Sequence, residues 1–476
     1  MQTVEKGHHF EQHSYSDEIY ELTAGSDTPY HPSSDTKTLS SNLEKVKSTT
    51  SSKHSTLHLL DDPANFPDGW NTTAMVTLLG SFLGMVGSLG FVNSGGVMQS
   101  YVSENILTSD SQSAIGWIFS VYNFFAFGGL LISGPLFDKV GCKKPIFVGT
   151  ILMFGGFFAT SFCRELYQFV LAYSILGGIG TSLVFGPFVA TLSHFFLKKR
   201  ALVIGLSYTG GGLGGVLFPV MYRELFPKVG FGWTIRIGSF ISLFCCTCGW
   251  LIVHDRHEEF HDNKGGNIFK EVMSSIDFKI LVRNKLFTVL VTGLLFNGLL
   301  FLITIVELPS YARSQGFDDN QAYLLLVVFN SVGIAGRIIP SYIADNGFGR
   351  FNTFVVINLV SLIAFTVIWV PFGSHLTALY VFAGVFGFSS GSVLSLSASL
   401  IASIVPTKDV GKGLGTGFAI LSIGDLIGIP IAGAIATGSS QSFKNLVYFL
   451  TACAAVGSSV SFVSRFLYGG INFDRV

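Results

Sequence analysis

Charge is scarce in this sequence. Asp, Glu, Lys and Arg make up 12% of its 476 residues, against the ~25% usual in soluble domains. The 29 basic and 29 acidic residues cancel, so no polyanionic partner, nucleic acid included, is implied. Cysteine is also sparse. Of Cys142, Cys163, Cys245, Cys246, Cys248 and Cys453, most fall in apolar stretches, where a thiol acts as a small hydrophobe. The Cys245–Cys248 cluster contains no His or acid, so it reads as filler rather than as a metal or redox site. No nucleophile–base pair, metal cluster or phosphate loop stands out, which argues against an enzyme and implies no cofactor. No signal peptide is read at the start. What is abundant is apolar sequence: 49% of residues are hydrophobic, and 55 glycines lie largely within that sequence. Glycine is more frequent in membrane helices than in soluble ones.

Residues 1–66 differ from the rest. They are rich in Ser, Thr, His, Asp and Lys and cannot bury enough apolar area to fold, so a disordered cytosolic tail is expected. Lys37, Lys45, Lys47 and Lys53 among the serines offer targets for a kinase or a ubiquitin ligase; a plain solvated tail fits equally well.

A bilayer core ~30 Å thick needs ~20 apolar residues in a helix. Twelve stretches qualify, near 74–98, 113–137, 145–163, 167–194, 201–222, 232–253, 286–311, 321–344, 351–371, 376–405, 412–436 and 445–468. The polar stretch 254–285 divides them into bundles of six, 67–253 and 286–476. Within it, 268–280 has the pattern of a helix lying on the membrane surface. With the N-terminus inside, fifteen Lys and Arg fall in the inner loops and five in the outer ones. The excess of inner positive charge predicts that both termini are cytosolic. The sequon Asn71-Thr72-Thr73 then lies on the wrong side for glycosylation.

The halves repeat a pattern. Asp138 closes the second stretch, followed by Gly141, Lys143 and Lys144. Asp345 closes the eighth, followed by Gly347, Gly349 and Arg350. Each acid at a helix end can hold neighbouring bases in one conformation and release them in another, which predicts a cytosolic gate. A pseudo-two-fold pair of bundles with a solute path between them follows.

This twice-used pattern resembles the signature of the major facilitator superfamily. Two further stretches are similar to the signatures of its monocarboxylate porter family: Phe66-Pro67-Asp68-Gly69-Trp70, which has one glycine fewer than usual, and His194 to Leu202 with Gly205 and the run Gly210–Gly215. The likeness is greatest to the fungal branch that includes a yeast plasma-membrane riboflavin transporter. It implies an all-α integral membrane protein of twelve helices in two pseudo-symmetric six-helix bundles, moving a small solute across a bilayer. It also implies the plasma membrane, with a vacuolar or other internal membrane as the alternative. Proton-linked animal members carry a lysine in the first helix and an Asp–Arg pair in the eighth. Here no lysine is present in the first helix, Arg337 matches the arginine, and Gly333 replaces the aspartate.

Few charges remain at membrane depth, where each costs at least ~2.5–3.5 kcal/mol. Arg337 either contacts solute through its fork of donors or bonds to a neighbouring backbone. Asp425 either pairs with Arg337, carries a proton, or is hydrated nearer the cytosol. Glu307 reads as interfacial. Arg236 either snorkels or lines an outer vestibule. Asn93, Asn123, Asn297 and Asn330 are pocket candidates, since amides suit a ring edge rich in donors and acceptors; Ser94, Tyr122 and Phe124, Phe125 and Phe127 accompany them. The function expected is alternating-access transport of a small organic solute, with riboflavin uptake the single best choice. A proton-coupled monocarboxylate carrier is the alternative, and a non-transporting nutrient receptor a remoter one.

Overall fold

The computed structural model describes residues 71–260, 272, 273, 276, 278, 280–436 and 440–469. The expected tail 1–66, the Phe66–Trp70 signature and most of the expected surface helix 268–280 lie outside these residues.

Ten described helices are long and apolar enough to cross a membrane. They yield twelve crossings for two reasons. The first is Lys143–Thr160, an 18-residue helix that opens with two lysines and a proline and so has lower hydropathy. The second is Arg200–Ile252, which is two helices joined at Gly230, where φ is 75°, a left-handed value that favours glycine. The two arms lie along the first helix in opposite senses: Ser81 touches Ser207 and Asn93 touches Gly211, whereas Gly80 meets Gly249 and Gly87 meets Ser242. The chain therefore reverses at Gly230.

The crossings are α1 Thr72–Asn93, α2 Gln112–Val140, α3 Lys143–Thr160, α4 Leu166–Leu192, α5 (200–229), α6 (231–252), α7 Lys285–Ser314, α8 Asp319–Phe348, α9 Arg350–Phe372, α10 Leu376–Ile404, α11 Val410–Ile435 and α12 Ser440–Gly469. The expected first stretch is not one helix. It breaks at Ser94 and continues as Gly95–Asn105, the Ser94 hydroxyl bonding back to Phe91 O. Starts are fixed locally: the Asn71, Ser111, Asn284 and Asp318 side chains accept from the first turns of α1, α2, α7 and α8, satisfying otherwise orphaned N–H groups.

Packing shows the duplication. α1 packs on α5 and α6, α3 on α4 and α6, and α2 on α4. Six helices later, α7 packs on α11 and α12, α9 on α10 and α12, and α8 on α10. Between the halves, α2 meets α11 and α5 meets α8, the same pair under exchange of halves. These seams are built on glycine. A Cβ on Gly134 would sit 2.0 Å from Gly411 O, and one on Gly205 would sit 2.3 Å from Arg337 O. Lipid supplies no hydrophobic drive between helices, so close backbone approach is a main source of adhesion.

Candidate functional site

One face of the molecule is latched by paired acids. Asp138, in the last turn of α2, accepts from Gly411 N at 3.0 Å and Lys412 N at 2.8 Å. Asp345, at the end of α8, accepts from Leu202 N at 2.8 Å and from Arg350 Nε at 3.0 Å. Each half thus places a carboxylate on the first turn of a helix in the other half, α11 or α5, where unsatisfied N–H groups and the helix dipole favour an anion. The expected holding of bases is corrected for Asp138, which holds backbone donors. Lys143 instead donates to Trp250 O at 2.6 Å and Leu251 O at 3.1 Å, closing α6, and Lys144 is exposed. Arg350 extends the second latch to Ser403 Oγ at 2.7 Å and Leu197 O at 2.9 Å.

Arg200 completes the closure. It is 2% exposed and donates to Ala402 O at 2.7 Å and Thr407 Oγ1 at 3.2 Å in the other half, and to Phe196 O and Ser193 O in its own. Sequence reasoning counted Arg200 as inner-loop charge and missed its role; its signal was its place at the start of α5 in the His194–Leu202 signature. Asp255 was missed too. It accepts from Cys142 N at the start of α3 and from His257 Nδ1. Burial opposes its ionisation, but these bonds and the Cys142 thiol hold its carboxyl below the usual range, while burial pushes the Cys142 thiol up.

At mid-depth, Arg337 is 3% exposed, and no hydrogen bond or ion pair reaches it among the described residues. Its Nε is buried and unsatisfied. Nη1 lies where a Cβ on Gly212 or Gly333 would come within 2.9 or 3.0 Å, so glycine at both positions makes room for the guanidinium. Within one turn along α5, Asn93 donates to Gly211 O at 2.9 Å, and the side chains of Asn93 and Asn330 flank Gly215. Asn330 Nδ2 bonds Leu326 O, leaving its Oδ1 at this crossing. Arg337, Asn93 and Asn330 are thus collected around α5.

Asp425 is elsewhere. It is 3% exposed and lines a small cavity of ≈ 30 Å³ between α7, α10, α11 and α2, together with Asn297, Ser390, Ser397 and Phe127. Of the three readings of Asp425, the pairing with Arg337 is not made: they sit at different seams, and no ion pair joins them among the described residues. Asn123 joins neither group. Its Nδ2 bonds Phe119 O and its Oδ1 is buried without a partner.

The face opposite Asp138 carries two cavities of ≈ 440 and ≈ 480 Å³, both bounded by Gly96, Ser100, Glu104 and Arg313. Glu307, read as interfacial, lines the larger. Glu104 and Arg313 meet at 3.4 Å between them. Arg236 lines neither cavity, which corrects its vestibule assignment. It donates to Ser161 Oγ at 3.0 Å and lies over the Phe162 ring at 4.4 Å and the Trp233 ring at 5.1 Å. Arg236→Ala should therefore change solute flux by less than about twofold, while losing about 0.5–1 kcal/mol for each exposed cation–π contact. Uptake and thermal melting measured in parallel would separate these effects.

The arrangement can hold a polar or anionic group near Arg337 and a donor near Asp425, with the two halves latched together on one face. Among the described residues no three metal-ligating side chains converge.

A family profile described as Major Facilitator Superfamily matches residues 80–373. The chain is 34% identical over 427 residues to the riboflavin transporter MCH5 of Saccharomyces cerevisiae, covering 86% of this chain and 81% of that protein. It is 33% identical to the MFS-type transporter opdF of Penicillium oxalicum, covering 83% and 91%. It is 35% identical to the agnestins efflux protein AgnL12 of Paecilomyces divaricatus, covering 76% and 81%.

Proposed function

The chain belongs to the Major Facilitator Superfamily, a multi-pass membrane transporter rather than an enzyme, and from that premise we propose that it takes up riboflavin across the plasma membrane by alternating access. The observation that carries the mechanism is the duplicated latch. On one face carboxylates cap helices of the opposite half, beside a cavity of ≈ 680 Å³ lined by Arg200, Asp345 and Arg350, and two smaller cavities indent the other face. That is one end-state of a two-state cycle. The solute reading is supported by the name of the yeast relative and by a mid-depth site of amides around a single arginine. Such a site suits a neutral ring edge rich in donors and acceptors. We assign the latched face to the cytosol, with both termini there, on the excess of Lys and Arg in its loops; the two bundles are 67–253 and 286–476.

Expression in cells unable to make riboflavin tests this. Labelled riboflavin should accumulate, and Arg337→Ala should lower uptake at least about tenfold, the ~1.4 kcal/mol scale of one lost charge-assisted contact. Growth and uptake no better than in empty-vector cells would reject the substrate; full uptake by Arg337→Ala would reject the site. The second reading is a monocarboxylate, favoured by the unpartnered guanidinium of Arg337. Labelled lactate uptake in the same cells decides between them. The efflux name of one relative makes release from preloaded cells the matching control for direction.

A further inference from the structure

We propose that the cavity of ≈ 480 Å³ beside Glu307 is a subsite for a neutral polyhydroxyl chain, and that it takes the ribityl tail of riboflavin while the ring is read at Asn93, Asn330 and Arg337. The inference rests on the riboflavin reading above and adds the part of the solute that the mid-depth site does not contact.

The sequence builds this cavity from two polar stripes. The break at Ser94 redirects the chain into the helix Gly95–Asn105. On that helix Gly96, Gln99, Ser100, Ser103 and Glu104 recur at i, i+3, i+4, i+7 and i+8, the spacing of one helical face, and all line the cavity. From the other half, the end of α7 supplies Glu307, Ser310 and Arg313, three residues apart and also lining it. Two helix faces near the bilayer rim are thus polar and bound one cavity instead of meeting lipid.

The chemistry of the lining selects the occupant. No hydrogen bond or ion pair reaches Glu307 among the described residues. Arg313 acts on it only from a distance and pairs instead with Glu104 at 3.4 Å and Asp319 at 3.5 Å. Gln99 Oε1 is buried without a partner. The amides of Gln99 and Gln112 bring N–H donors beside these acceptors, and the serines bring groups that do both. Each hydroxyl of a polyol also donates and accepts, so a chain of them matches such a lining along its length. An aromatic ring offers polar atoms only at its edge, and a carboxylate solute would meet Glu307 and Glu104. The buried Phe443 ring and Ile429 give the C–H side of the chain an apolar wall. The volume falls in the range of small-molecule sites, about 300–1,000 Å³. Position joins the two parts. Gly96 lies three residues beyond Asn93, and a Cβ on it would stand 3.4 Å from Ile305 O of α7. A tail leaving the ring site outward passes Gly96 into this cavity.

The test uses the full chain in lipid nanodiscs and follows flavin fluorescence. Riboflavin should bind at least about tenfold more tightly than lumiflavin, which carries a methyl group in place of the ribityl tail. Glu307→Gln keeps the shape but exchanges a charged acceptor for a neutral amide, so it should weaken riboflavin binding about tenfold and leave lumiflavin binding unchanged. Gln99→Leu should act in the same direction. Equal affinities for the two flavins in the native chain would overturn the proposal, and so would a native preference for riboflavin in both variants. A second arm needs no flavin. Ribitol should slow labelling of Ser103→Cys by a membrane-impermeant maleimide, relative to the labelling of the native chain, and should lose this effect when Glu307→Gln is added. No slowing would overturn the polyol site, and slowing by choline but not by ribitol would overturn it in favour of an organic cation. If ribitol protects and riboflavin neither binds nor is carried, the substrate reading fails while the polyol site stands.

Discussion

Replacing Arg200 with alanine is expected to cut solute flux by about two orders of magnitude. Two of its hydrogen bonds, to Ala402 O and Thr407 Oγ1, cross from one half to the other. Hydrogen bonds to a charged group contribute about 1.5–3 kcal/mol each, so their loss removes roughly 3 kcal/mol or more from the latched arrangement alone. The unmatched carbonyls of Phe196 and Ser193 add to that. A shift of this size moves the equilibrium more than about 100-fold towards the form open on the Asp138 face. Arg200→Lys should recover only part of the activity, because a single ammonium cannot span acceptors on four sides as a guanidinium fork does. The check is flux together with labelling of single cysteines placed along α11. Labelling from the Asp138 face should rise in Arg200→Ala. Native flux and native labelling in that variant would show that Arg200 does not hold the closure.

The second large effect is steric. Gly134→Val and Gly205→Val should each reduce flux by about 100-fold or more, with the protein still inserted. A Cβ at Gly134 would sit 2.0 Å from Gly411 O, and at Gly205 2.3 Å from Arg337 O. Neither obstacle is a side chain that can rotate aside. The helices must separate, and overpacking of even a few methylenes costs about 1–3 kcal/mol where some repacking is available. Both substitutions act on the closed form, so both should leave the Asp138 face permanently accessible. Gly155→Val is the control: nothing lies within 4 Å of its Cβ position, and flux should be unchanged. Equal loss in all three variants would point to misinsertion rather than to the seams.

The fold was legible because lipid permits few solutions. Spans read from hydropathy coincide with helices, and the repeated Asp138 and Asp345 pattern marks the two-fold relation that the packing displays. The break at Ser94 was hidden because serine and glycine continue an apolar run without changing its composition. The site was legible only in part. Residue type placed Arg337 and Asp425 at depth, and both are buried. Their partnership was not readable, because which seam a helical residue faces depends on rotation about the helix axis, and unlike charges invite pairing on paper. Arg200 was missed for the opposite reason. In a loop rich in Lys198 and Lys199 it counted as one more inner charge, whereas its burial depends on α10 and the Thr407 turn, some two hundred residues away. The vestibule reading of Arg236 failed because Phe158 and Phe162, which with Trp233 surround it, lie on or just beyond α3, some seventy residues earlier in the chain.

The glycine seams bear on how fast such a machine can run. Helices that interlock through side chains must climb over one another's ridges whenever they shift. At the α2–α11 and α5–α8 crossings, backbone lies against backbone, so the surfaces are comparatively smooth. Resistance to rocking is then concentrated in a few polar catches at one rim rather than spread along the helices. The two properties can be set apart: the catches fix which pose is preferred, and the smoothness fixes how little friction is met in leaving it.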